Sequence, residues 1–126
     1  MKTVVAKTEI KTDPKLAIVK AFRIANKRAG EAKRRGEEGI TEYGSALAKL
    51  KELAELAHAN GFDIWVNTNG RTGHTYDKDY KITPDGDNDH AAFLEELAAV
   101  EAEANDTIAG ALANNLLTTP ADPRFN

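Results

Sequence analysis

Apolar residues repeat every three or four positions up to Asn60-Gly61 and every second position after it, so a helix must hand over to a strand there. On the helical side Ala46, Leu47, Leu50, Leu53, Ala54 and Ala57 mark one wide apolar face, with Thr41 or Ser45 as the expected N-cap. Gly61 supplies the left-handed residue that closes many helix C-termini. Beyond it Phe62, Ile64 and Val66 point one way and Asp63 and Trp65 the other, which is a half-buried strand.

The strand reverses at Asn69-Gly70. A two-residue loop pairs Trp65 with His74 and Asp63 with Tyr76. A three-residue loop, with Gly70 left-handed, pairs Ile64 with His74 and Phe62 with Tyr76. The second register is favoured because it sets apolar residues opposite each other. A third short strand over Tyr80 to Ile82, ending at Pro84-Asp85-Gly86, completes a meander over 62–83.

The rest of the chain is arranged around this meander. Residues Thr3 to Thr12 alternate as an edge strand carrying lysines. Asp13-Pro14 is an N-cap followed by a proline at the first helical position, and it opens a helix running to about Arg35. Ile18, Phe22, Ala25, Ala29 and Ala32 form its apolar face, with Lys20, Arg23, Lys27 and Arg34 as a basic ridge opposite. Gly36 and Gly39 separate it from the next helix.

A last helical region begins at His90. Phe93, Leu97, Val100, Ala104 and Ile108 keep one phase through Asn105-Asp106-Thr107, giving one long helix; two helices broken at that polar triplet are the alternative. The expected fold class is α+β, a small antiparallel sheet of three or four strands with two or three helices on one face. It forms a single domain over 1–117 with an extended tail over 118–126.

A chain of 126 residues can bury a core without a disulfide or metal, and with no cysteine it can hold neither a disulfide nor a thiolate zinc site. Charge returns too early after Met1 for a signal peptide, and no apolar run nears the roughly 20 residues of a membrane span. A cytoplasmic protein with no membrane partner is expected. Residues 1–60 hold 13 Lys and Arg against 8 Asp and Glu, whereas 61–126 hold 4 against 12. Such a split implies a charged partner, or two halves that face each other in a homo-oligomer.

The acidic half directs the leading expectation: a non-enzymatic inhibitor or adaptor whose Asp77, Asp79, Asp85, Asp87 and Asp89 dock on the basic surface of a protein partner. No cofactor and no catalytic residue are expected under this reading. The first alternative is a nucleic-acid-binding protein that sets Lys20, Arg23, Lys27 and Arg34 against phosphates. A solvated helix face is the plainer account of the same ridge, since Glu31 stands within reach of Lys27 and Arg35.

Two smaller constellations complete the set. Trp65, Arg71, His74 and Tyr76 around the hairpin would form a polar ligand site. Asp85, Asp87, Asp89 and Glu96 stand at relative positions 1, 3, 5 and 12 of a segment that in part resembles the calcium loop of an EF-hand, although its sixth position is His90 rather than Gly. That resemblance, together with His74, Asp77, Asp79 and His90 near one end of the meander, implies a calcium-binding protein or a small metal-dependent enzyme. No phosphate-binding glycine loop or nucleophile elbow occurs in the sequence.

Overall fold

The structure, a computed structural model, describes residues 13–76 and 90–120, and of 90–96 the backbone alone. Its elements in chain order are α1 (Pro14–Arg34), a 3-10 turn (Gly36–Gly39), α2 (Ile40–Ala59), β1 (Ile64–Val66), β2 (Thr72–His74) and α3 (His90–Ala113). The described residues are mostly helical, with one two-stranded antiparallel sheet. The strands expected over Thr3–Thr12 and Tyr80–Ile82 lie outside the described residues.

α1 starts as its sequence dictates, with the Asp13 carboxylate accepting from the Lys15 amide at 2.9 Å and proline in the first turn. Its first half is buried all round: Ala17, Ile18, Val19, Ala21, Phe22, Ile24 and Ala25 are each at most 3% exposed. The cause is topological, because α2, α3 and both strands pack against this helix. Among the described residues the centre of the fold is therefore α1 rather than the hairpin. The expected outer ridge is corrected at Arg23, which is 8% exposed.

Neither Thr41 nor Ser45 caps α2. The 3-10 turn runs straight into it, the Ile40 amide donating to the Glu37 carbonyl, and Gly39 takes the N-cap position without a side-chain bond. Gly39 is required sterically, since a Cβ there would stand 2.2 Å from the Ala32 carbonyl oxygen of α1. At the far end Gly61 (φ +93°) closes the helix: its amide donates to His58 and that of Phe62 to Ala57, a Schellman motif. That motif delays the strand, which begins at Ile64 rather than Phe62.

The hairpin follows the three-residue register, with Ile64 opposite His74 and the Phe62 and Tyr76 rings 5.2 Å apart. Gly70 is left-handed (φ +80°), and the Asn67 amide donates to the Arg71 carbonyl across the loop. α3 is one continuous helix. Ala104 and Ile108 are buried on either side of the polar triplet, and the Thr107 hydroxyl is absorbed by the Glu103 carbonyl at 2.9 Å. It ends on Asn115 (φ 61°), which takes the left-handed position usually given to glycine.

One cluster forms the core, joining Ile18, Val19 and Phe22 of α1 with Leu53 and Leu56 of α2, Phe62 and Ile64, and Ala104 and Ile108 of α3. No helix among the described residues is long and apolar enough to cross a membrane.

Candidate functional site

A cleft of about 920 Å³ opens between α1, α2 and the hairpin. Each side contributes a different chemistry. From α1 come Arg23, Lys27, Glu31 and Arg34, successive at steps of four, four and three, with Lys33 beside them. From α2 come Tyr43, Leu47 and Leu50, also at helical spacing, and the hairpin adds Val66, Arg71, Thr72 and His74. Among the described residues Arg23, Lys27, Lys33, Arg34 and Arg71 line the cleft together with the carboxylate of Glu31, which Arg34 meets at 3.1 Å.

Local geometry holds the hairpin in place. The Asn67 side-chain oxygen accepts from the amides of Asn69 and Arg71, each at 2.9 Å, which tightens the loop. The Asn26 side-chain amide then donates to the Gly70 carbonyl at 2.8 Å and ties the loop tip to α1. Arg71, next to Gly70, thereby lines the cleft from the hairpin. Arg23 lies deep beneath, and a charge there acts through a medium that screens it less than bulk water does.

Two sequence constellations merge at this cleft. Arg23, Lys27 and Arg34 of the basic ridge line it, as do Arg71 and His74 of the hairpin set. Lys20, half-buried on α1, stands apart from it, and so do the other two hairpin residues. Trp65 is 45% exposed and lies over Gly73, where a Cβ would come within 2.8 Å of the indole nitrogen. The Tyr76 hydroxyl donates to Asp13, the N-cap of α1, and Lys15 sits 5.9 Å from the Tyr76 ring centre. Tyr76 thus joins the hairpin to the start of α1.

Asn26, Gly30 and Tyr43 were not singled out by sequence, and Leu47 was assigned to the core although it is 44% exposed. A signal for the α2 side existed, because Tyr43, Leu47 and Leu50 share a stripe displaced from the buried line of Ala46, Leu53 and Ala57.

The expected docking residues Asp77, Asp79, Asp85, Asp87 and Asp89 lie outside the described residues, as does the Glu96 side chain. Among the described residues no three His, Asp or Glu side chains gather as a metal site would require. His58 meets Asp63 at 3.0 Å, both exposed, where α2 ends. On another side of α1, Arg28 makes a two-pronged pair with Glu101 of α3, at 2.7 and 3.1 Å. This pair satisfies one cation of the positive half with one anion of the negative half inside a single chain. Comparison with protein-family models, curated proteins and solved structures returns no match.

Proposed function

We propose that this protein is a non-enzymatic nucleic-acid-binding protein, and that the cleft between α1, α2 and the hairpin receives the phosphate backbone. The observation that carries the reading is the convergence of Arg23, Lys27, Lys33 and Arg34 with Arg71, which comes from a separate element, around a space of about 920 Å³. A solvated helix face accounts for a ridge on one helix; it does not account for a further cation held across a cleft by the Asn26 to Gly70 bond. Phosphate neutralisation releases counterions, so affinity falls with salt in proportion to the contacts made.

The test is fluorescence anisotropy with a labelled oligonucleotide across a salt series. Each phosphate contact on a single strand adds roughly −0.7 to the slope of log affinity against log salt, so the slope counts the phosphates neutralised. Lys33→Glu with Arg71→Glu, both exposed, should abolish binding, whereas Lys51→Glu on an exposed part of α2 outside the cleft should not. Absence of any complex at 50 mM salt removes the reading. Docking of the acidic half on a basic protein rests on Asp77, Asp79, Asp85, Asp87 and Asp89, which lie outside the described residues.

A further inference from the structure

We infer that the cleft selects single-stranded over duplex nucleic acid, a conclusion that rests on the nucleic-acid reading above and adds the form of the ligand. The two long sides of the cleft divide the chemistry that a single strand needs. α1 presents Lys27 and Arg34 two helical turns apart, which places cations along roughly 10 Å of one wall. α2 presents Tyr43, Leu47 and Leu50 at the same period along the other. Phosphates fit the first wall and unstacked base faces the second.

A duplex can use only half of this arrangement. Its bases are already stacked and paired, so the apolar wall has nothing to receive, and a rigid double helix meets the rim of a concave site rather than its floor. Single strands expose base faces that stack on aromatic rings at little cost in sequence preference. Tyr43 is half-buried and lines the cleft. Leu47 at 44% and Val66 at 40% exposure extend the apolar surface on either side. Such large apolar groups left uncovered beside a row of cations fit a ligand that is itself part apolar and part anionic.

Gly30 is the second observation. It lies in the interior of α1 and lines the cleft, and a Cβ built on it meets no atom within 4 Å. Packing therefore gives no reason for glycine, and helix propensity opposes it by about 1 kcal/mol against alanine. Its smallness leaves the cationic wall open between Lys27 and Lys33, where a phosphate backbone can approach the helix closely.

The experiment compares three labelled 12-mers on the intact protein: a single strand, the duplex of the same sequence, and an abasic strand with the same number of phosphates. The single strand should bind at least tenfold tighter than the other two. Tyr43→Leu, which keeps apolar volume but loses the ring, should lower single-strand affinity about tenfold with the salt slope unchanged, and Tyr43→Phe should retain it. Equal or tighter binding of the duplex or the abasic strand overturns the single-strand inference while leaving phosphate binding standing. An undiminished Tyr43→Leu variant also overturns it. Failure of all three probes to bind removes the nucleic-acid reading itself.

Discussion

Gly30 and Gly39 show how the same residue type answers opposite demands nine positions apart. At Gly39 a Cβ would stand 2.2 Å from a backbone oxygen of α1, and backbone cannot step aside as a flexible side chain can. Gly39→Ala must force α1 and α2 apart at their tightest approach, at a cost of about 2 to 3 kcal/mol as for other overpacked sites. At Gly30 nothing stands within 4 Å, so Gly30→Ala gains helix propensity and should stabilise by about 0.5 to 1 kcal/mol. The same methyl intrudes on the cleft, so single-strand affinity should fall severalfold as stability rises, the trade expected where a residue serves binding rather than packing. Urea unfolding and anisotropy on the two variants check both signs. A Gly30→Ala protein that is more stable and binds unchanged would deny Gly30 its part in the cleft.

At the scale of elements, one bond ties the tip of the hairpin to α1. The Asn26 side-chain amide to the Gly70 carbonyl, at 2.8 Å, is exposed, so Asn26→Ala should lower global stability by only about 0.5 to 1 kcal/mol. The larger consequence is local: hydrogen exchange at Gly70 and Arg71 should accelerate, and oligonucleotide affinity should fall because Arg71 no longer faces α1 in a fixed place. Unchanged exchange at the tip would show that β1 and β2 are held by their own pairing. The hairpin also shows what a sequence can and cannot reveal. Its register was legible because matching Phe62 with Tyr76 and Ile64 with His74 is a local choice between two loops. The start of α1 at Asp13-Pro14 was legible for the same reason, since a cap acts within a few residues, whereas the polar triplet at 105–107 left one helix or two open until the structure showed α3 unbroken. The hidden parts were those that tertiary packing decides. Arg23 reads as part of an outer ridge until the hairpin and the other two helices cover the first half of α1. The cleft stayed divided between two weak patterns because nothing in the spacing of Arg34 and Arg71 says that their elements meet. Trp65 lies over Gly73 and Tyr76 bonds to Asp13 at the start of α1, contacts that their spacing alone does not reveal.

Across the whole molecule the question is whether α2 and α3, both packed on α1, unfold together. A clasp joins their ends directly: the Asn60 side chain accepts from the Thr118 amide at 2.8 Å and donates to the Thr118 carbonyl at 2.9 Å, while also donating to Leu56 at 2.8 Å. Leu117, beside the clasp, is buried in the common core at 6% exposure. The Arg28 to Glu101 pair separately links α1 to α3, though with both side chains about a third or more exposed it contributes about 1 kcal/mol or less. Over its described side chains α3 docks through a set rich in small residues, Ala104 and Ala111 with Ile108 and Leu97, so these turns contribute less apolar burial than the Leu53 and Leu56 turns of α2. Removing the clasp should therefore reveal α3 as the weaker partner. In the parent protein, urea transitions followed by Trp65 fluorescence, which reports the hairpin, and by far-ultraviolet circular dichroism, which reports the helices, should coincide. Asn60→Ala should lower stability by about 1 to 3 kcal/mol and separate the two curves, with helix signal lost before the fluorescence changes. Coincident curves in the variant would mean that the core around Ile18 and Val19 couples all three helices without help from their ends, and α1 alone would then set the cooperativity of the fold.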